Sequence, residues 1–558
     1  MRLSYRGAYG MGEKYDRLNQ KGNTVVNRVE EQFCFQSEKT YCAAPFFWTD
    51  TGFGLYVDTC QETAFSFEDD QVVIRLPEEA ELVTFSGTPE RIIREYQSLF
   101  GEPELPPEWV FGTWISANRW NTQRDAEAQL ECLRKRDFPA TVLVLEAWSD
   151  EATFYVWNGA SCKASEKPRR YEDFDFTGTP WPDPRGMIAR FHAAGLHLVL
   201  WQIPVYKKQP PEERKNPQHE LDCEEAEAKG LCVKLPDGSP YRIPEGHWFS
   251  GSMIPDFTNP QCREAWFSRR QYLLDMGVDG FKTDGGEFLY RDDAQFSDGT
   301  TGLEGKNRYA RDYTQSYRDF IGPERVLFSR AGYSGQHTVP VHWAGDQQSQ
   351  NRELKSVLRA GLSAAATGML FWGFDIAGFA GPLPSLDLYR RATQMACFCP
   401  IMQWHSEPDG GQFRELLPGG QGNNERSPWN MAETYQAPEF LEEMRFWHKL
   451  HERLRPYLWQ TAQACVREGK PMMRPLVYEW PEAEEACSCE DEYLLGEALL
   501  VAPFLEENET SRMVWLPKGR WFGFFDSSVQ EGGCEIKAGG NGKLPVFIRS
   551  GWEHIFKK

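Results

Sequence analysis

From about residue 108 to 455, short contiguous apolar blocks alternate with longer stretches whose apolar residues recur at helical spacing. Eight blocks read as strands: Val110–Trp114, Thr141–Leu145, Leu196–Trp201, Val278–Thr283, Arg325–Ser329, Val341–Ala344, Gly368–Trp372 and a last one near Cys399–Met402. Thr122–Arg136, Met187–Ala194 and Trp266–Met276 carry the helical period between them. Strand-then-helix alternation implies a parallel sheet, and about eight such units imply a closed (β/α)8 barrel. Two connections, 149–182 and 206–251, exceed what a simple turn needs and read as insertions covering a site.

The flanks have a different rhythm. Within 1–102, Phe46-Phe-Trp48, the turn Thr49–Gly52 and Phe53–Val57 read as a hairpin, with further strands at Val72–Leu76 and Leu82–Phe85. This predicts an N-terminal partial β-sandwich. Gly10–Gln20 looks too polar for a core and reads as a loop reaching toward the site. The rigid Pro103–Pro107 stretch marks a boundary. A helix over Ala437–Leu454 closes the barrel region, and Pro456 is expected to end it and begin another. Residues 456–558 then show Glu492–Ala502, Met513–Leu516 and Leu544–Ile548 as strand material, a C-terminal β-sandwich. The predicted fold class is therefore α/β, a (β/α)8 TIM barrel with a β-sandwich on each side.

Composition narrows the partners. A formal charge of −21 and no basic run argue against nucleic acid or an anionic membrane. No apolar stretch has the length of a signal-peptide core or a membrane span, so a soluble, cytoplasmic protein is expected. The 14 cysteines show no CxxC pair; Cys397/Cys399 and Cys487/Cys489 lack the second half of a zinc site, and Cys397 reads as packing. No metal, cofactor or disulfide framework is expected. The 20 Trp, 21 Tyr and 36 Phe suit core filling, and equally a cleft in which sugar faces stack on rings.

Polar residues gather where the predicted strands end: Glu146 after the second, Lys282 and Asp284 at the fourth, Arg330 after the fifth, Asp346 after the sixth, Asp375 after the seventh and His405 after the eighth. Barrel enzymes place their chemistry at this rim. Asp284 sits before Gly285-Gly286, where it reads equally as a helix cap. Two carboxylates across one rim, Asp284 and Asp346, are what glycoside hydrolysis needs: one attacks the anomeric carbon, the other protonates the leaving oxygen. Lys282 would favour ionised Asp284, and Arg330 and Trp343 are placed to touch a sugar or hold the acid. Trp201 and Trp372 read equally as core or subsite.

KTDGGE at 282–287, FSRAGYSGQHTVPVHWAGDQ at 328–347 and LFWGFDIAGF at 370–379 together resemble glycoside hydrolase family 31, as do GMGEKYDRLNQKGN, GFGLYVDT, LLVAPF and LPVFIRSG in the flanks. That resemblance implies a retaining exo-α-glycosidase, in which Asp284 is the nucleophile and Asp346 the acid/base. It implies that Glu146, Trp201, Lys282, Arg330, Trp343, Asp375 and His405 line the subsite of the attacked sugar, with Trp372 beside them. The substrate is then a small oligosaccharide or α-glycoside; a homo-oligomer is compatible. One position departs from the pattern. Where many α-glucosidases of the family carry an acid that binds the sugar's 4-hydroxyl, this chain has Trp148. An apolar wall at C4 is expected, which opens α-xyloside, α-galacto-type, N-acetylgalactosamine and sulfoquinovose substrates besides α-glucosides. The N-terminal sandwich is also shorter than the family's usual one, which suggests a compact or truncated form. Two other classes remain open: a Schiff-base barrel enzyme using Lys282, and a silent sugar-binding protein.

Overall fold

The computed structural model describes residues 1–556 except 212, 214 and 407–423. Two residues of the expected 206–251 insertion and the last two of the C-terminal region lie outside the described set. At the centre is a closed, all-parallel barrel of eight strands. In chain order they are β1 Thr113–Ala117, β2 Val142–Leu145, β3 His197–Gln202, β4 Gly280–Thr283, β5 Val326–Ser329, β6 Val341–Trp343, β7 Phe371–Asp375 and β8 Ile401–Ser406. β8 closes on β1 through Met402↔Thr113. The buried Val-Leu-Val-Leu of β2 and Val-Leu-Phe-Ser of β5 show why the apolar blocks are continuous: a parallel strand covered on both faces has no polar side.

All eight strands occur near their predicted places. The first is shifted: Glu108–Phe111 forms a 3-10 turn, and β1 starts at Thr113. The helical stretch before β4 is two pieces, Pro260–Ser268 and Gln271–Asp275. It breaks where Arg269 and Arg270 turn inward. Arg269 pairs with Asp222 and Glu225, and Arg270 stacks 3.7 Å over Trp266 while donating to Gln202. Two buried guanidiniums need partners.

The N-terminal region packs two antiparallel sheets, of four and three strands. The predicted hairpin is Ala43–Thr49 against Phe53–Asp58, with Phe47 opposite Leu55. Gly10–Gln20 is not an exposed loop. Ala8–Gly12 is a buried strand, and Glu13, Lys14, Tyr15 and Leu18 are buried. Three of its buried polar side chains are paired: Trp372 Nε1 donates to Glu13 Oε1 (2.7 Å), Tyr15 hydroxyl to the Ala344 carbonyl (2.8 Å) and Lys14 to the Glu38 carbonyl. Pro456 does not break its helix either; Pro438–Glu468 runs through it. Leu454, Tyr457 and Leu458 are buried around the proline, and that packing holds the helix where one backbone hydrogen bond is missing. The C-terminal region carries a six-stranded and a two-stranded sheet over its own core of Leu494, Leu500, Val514 and Trp521.

Candidate active site

A cavity of about 780 Å³ opens at the C-terminal ends of the barrel strands. Glu146, Trp201, Lys282, Asp284, Asp346, Asp375 and His405 line it, each carried by or just after a different strand apart from the β4 pair. Asp284 leaves β4 into Gly285 and Gly286, with φ of +69° and +111°. A Cβ on Gly285 would come within 2.6 Å of Ile203 and 2.7 Å of Phe288, so the turn needs glycine. The next helix begins at Gly302, capped by Thr301, so Asp284 caps nothing.

Two N–H groups and one guanidinium ion pair converge on the Asp284 carboxylate. Trp201 Nε1 lies 2.9 Å from Oδ2, Gly285 N 2.9 Å from Oδ1, and Arg330 Nε 3.2 Å from Oδ1. The same guanidinium reaches Asp346 Oδ2 at 3.2 Å and the fully buried Glu287 at 3.0 Å. Arg330 is 1 % exposed. Burial works against its charge, but Asp284, Glu287 and Asp346 outweigh that and raise its pKa well above the ordinary value. One fixed cation thus spans both candidate catalytic carboxylates and is anchored from behind by a third.

Burial pushes the Asp346 carboxyl well above the usual carboxylate range; Arg330 opposes this, while Asp284 and Glu31 add to it. Lys282 Nζ sits 2.5 Å from Glu146 Oε1 and 4.7 Å from the centre of the Trp343 ring. Burial disfavours its ammonium, yet Glu146, Asp375 and Asp284 together raise its pKa above the ordinary value. A lysine held as ammonium is a poor Schiff-base nucleophile. Glu146 is pushed up to about 7 by burial, against the pull of Lys282. Asp375 is raised by burial and accepts from Gln403 Nε2 at 2.6 Å. His405 is held neutral by burial and by Lys282 and Arg426. Its Nδ1 meets Ser116 Oγ at 2.7 Å, and its buried Nε2 has no partner among the described residues. A buried ring nitrogen without a partner at a cavity wall is ready for a ligand hydroxyl.

Not every expected contact is there. Trp148 does not line the cavity. It is fully buried, donates from Nε1 to the Trp201 carbonyl (3.0 Å) and packs edge-on against Trp157, with ring centres 5.0 Å apart. An apolar wall at C4 is therefore not what this indole provides; it supports the strand that carries Trp201. Trp372 also lies behind the wall, bonded to Glu13. Arg330 and Trp343 act from beneath it, through Asp284, Asp346 and Lys282.

Residues missed by the sequence reading complete the walls. Glu31 and Phe33 come from the N-terminal region, Asn118 and Asn121 follow β1, and His247 and Trp248 belong to the second long connection. Gln36 Nε2 also donates to the Asp346 carbonyl at 2.6 Å. Only Asn118 and Asn121 had a local signal, a polar pair just past a strand. The others approach from distant chain segments that no spacing reveals.

The comparisons agree with this architecture. The family model described as the glycosyl hydrolases family 31 TIM-barrel domain matches residues 103–461. The family's C-terminal domain matches 469–552, and its N-terminal galactose mutarotase-like domain matches 3–66. Among curated proteins, an isomaltosyltransferase of Sporosarcina globispora is 34 % identical over 97 % of this chain and 50 % of its own length. A 1,3-alpha-isomaltosidase of Kribbella flavida is 34 % identical over 98 % of this chain and 76 % of its own. A solved cycloalternan-degrading enzyme from Trueperella pyogenes, in complex with a covalent intermediate, is 35 % identical with TM-score 0.93, covering 99 % of this chain and 77 % of that one. The chain spans about half the length of the isomaltosyltransferase.

Proposed function

The chain belongs to glycoside hydrolase family 31 and is an enzyme acting on glycosidic bonds; on that premise we propose that it cleaves α-glucosyl linkages by double displacement with retention, releasing an isomaltosyl unit. The observation that carries the mechanism is the Arg330 guanidinium shared between Asp284 and Asp346 at the cavity. Asp284, oriented by Trp201 and Gly285, attacks the anomeric carbon. The bond from that carbon to the leaving oxygen breaks, and Asp346, whose raised pKa favours its acid form, gives that oxygen its proton. A β-linked glycosyl ester on Asp284 results. Esterification removes the negative charge on Asp284, one of the causes that raise the Asp346 pKa, so Asp346 becomes a better base in the second step. It takes a proton from water, the water oxygen attacks the anomeric carbon, and Asp284 leaves as carboxylate. The α-anomer is restored.

The donor assignment rests on two supports. The relatives reported above are named for isomaltosyl transfer, isomaltosidase activity and cycloalternan degradation. The cavity, at about 780 Å³, lies in the upper part of the ~300–1,000 Å³ range of small-molecule pockets and has room for more than one sugar ring. A second reading, transfer to a sugar acceptor instead of water, is favoured by the isomaltosyltransferase relative and by the aromatic wall of Phe154, Trp248 and Phe249. The test is a proton NMR time course with p-nitrophenyl α-isomaltoside and p-nitrophenyl α-glucoside. Isomaltose appearing first as the α-anomer, and faster turnover of the isomaltoside, is expected; longer oligosaccharides at early times indicate transfer. The β-anomer first overturns retention, and preference for the monosaccharide glycoside overturns the isomaltosyl donor.

A further inference from the structure

At the opposite end of the barrel, three metal-ligating side chains converge that the catalytic site does not use. The helix Pro184–Ala193 ends one residue beyond His192, and the chain turns through Gly195 into His197, the first residue of β3. Asp279 stands just before β4, the neighbour of β3, whose pairing aligns Val199 with Gly280. Its backbone N–H donates to the Leu198 carbonyl (2.9 Å) and its carboxylate accepts from Leu198 N (2.7 Å), so its position is set by the sheet. His192 Nε2 then lies 2.8 Å from Oδ2, and His197 Nδ1 2.9 Å from Oδ1.

We propose that His192, His197 and Asp279 form a binding site for a divalent transition-metal ion of the Zn²⁺ type at the N-terminal end of the barrel. One ligand atom from each residue falls within a 4.8 Å cluster. Two imidazoles and one carboxylate suit Zn²⁺ or Co²⁺ and not Mg²⁺ or Ca²⁺, which take oxygen ligands. Bonds of ~2.0–2.1 Å to nitrogen and oxygen place tetrahedral ligands roughly 3.3 Å apart, so the two His–Asp contacts, each to a different carboxylate oxygen, need to open by a few tenths of an ångström while the three ligand atoms, within 4.8 Å of one another, settle on that spacing. The side chains are 38 %, 26 % and 16 % exposed, which leaves an entry path and a fourth position for water. The rings are held in place: Trp109 stacks on His197 with centres 4.2 Å apart, and Gly277 leaves space where a Cβ would approach His192 Cε1 to 3.4 Å. Among the described residues no lysine or arginine pairs with Asp279, so its charge has no permanent counter-ion. On binding, the ring nitrogens that now face Asp279 become the ligands, and the protons they carry there leave to the other ring nitrogen or to solvent.

The barrel face away from the catalytic rim serves stability, so the ion is expected to raise the melting temperature and leave turnover unchanged. The test uses the full chain stripped with chelator and titrated calorimetrically with ZnCl₂, with CoCl₂ as a spectroscopic probe. One equivalent of Zn²⁺ should bind, Mg²⁺ should not compete, and Co²⁺ should give visible d–d bands. His192→Ala, at the most exposed ligand, and separately His197→Ala should each weaken binding by at least the ~10–100-fold that loss of even a supporting partner costs at a metal site. Cys489→Ser should change nothing; it disrupts the other potential cluster, Cys489–Asp491–Glu492, whose Asp491 is already paired with Arg512. Absence of stoichiometric Zn²⁺ uptake by the wild-type chain, or uptake unaltered in both histidine variants, would overturn the assignment.

Discussion

Replacing Trp148 separates a supporting indole from a sugar-binding one. Its ring is fully buried, its N–H is bonded to the Trp201 carbonyl, and its edge packs on Trp157. Trp148→Phe removes that hydrogen bond, worth about 1 kcal/mol net, and leaves a void where part of the indole was. The Trp201 carbonyl keeps a second donor, Gln202 Nε2 at 2.9 Å, so it is not orphaned. Complete truncation of a buried Trp costs about 3–5 kcal/mol; the Phe variant, retaining most of the ring, should lose about 1–3 kcal/mol. Trp148→Asp is a different experiment, because it adds a carboxylate in the core with no cation beside it, and it should not yield folded protein. Trp201 is held independently by its pairing with Lys282 across β3 and β4. Asp284 therefore stays oriented, and kcat/KM should fall by less than ~10-fold. Urea unfolding followed by far-UV circular dichroism reads the stability loss as a lower midpoint at unchanged slope. A panel of p-nitrophenyl α-glucoside, α-xyloside and α-galactoside reads specificity, and its ranking should not change. A Trp148→Phe protein with wild-type stability and an inverted glucoside-to-xyloside ranking would refute the reasoning and place the indole against the sugar.

Asp284→Ala should abolish turnover on every substrate, whereas Asp346→Ala should slow poor leaving groups far more than activated aryl ones and be partly rescued by azide; equal losses across leaving groups would contradict an acid role. Because Asp346 acts as a proton donor and its pKa is raised, kcat/KM should fall as pH rises through that pKa. In Asp346→Ala with an activated substrate this alkaline limb should be lost, and a pH–rate profile checks it. Lys282→Met removes the cation beside Glu146 and leaves a buried carboxylate uncompensated, a change that costs about 3–5 kcal/mol. Thermal unfolding should show that loss, and borohydride with a carbonyl sugar should label neither wild type nor variant.

The barrel was legible because its signals are local. Each strand is a short apolar block, and Glu146, Asp284 and Arg330 each follow the last strand residue directly, where the parallel register sends them to one rim. What the chain does not display locally is which side of the wall a ring falls on. Trp148 lies in the turn after β2 and Trp201 on the neighbouring β3, yet one is core and the other holds Asp284, because the Trp148 N–H found a backbone carbonyl instead of the cavity. Polarity misled in the same way at Gly10–Gln20: Glu13 and Lys14 look like surface residues until their partners, 359 and 24 positions away, are seen. Glu31 and Phe33 reach the cavity only through the docking of the N-terminal region on the barrel.

Charge balance in the cavity adds a constraint that no single residue carries. Glu31, Glu146, Asp284, Asp346 and Asp375 line it and Glu287 lies behind, against Lys282 and Arg330; a further lining pair, Glu151 and Lys207, is 3.7 Å apart and balances itself. In so dry a setting all six carboxyls cannot be ionised together. Burial raises the pKa of Glu31, Glu146, Glu287, Asp346 and Asp375 alike, which favours proton sharing over the group. Arg330 resolves the sharing by position: it contacts both Asp284 and Asp346, but Asp284 also receives the Trp201 and Gly285 N–H groups. Asp346 receives no such side-chain donors beyond Arg330 among the described residues, so the proton resides there at lower cost. A sugar that displaces water strengthens every one of these interactions. The alkaline limb of the rate profile will then report the titration of the coupled group, and neutralising Glu287 by Glu287→Gln should move that limb without adding or removing any contact to substrate.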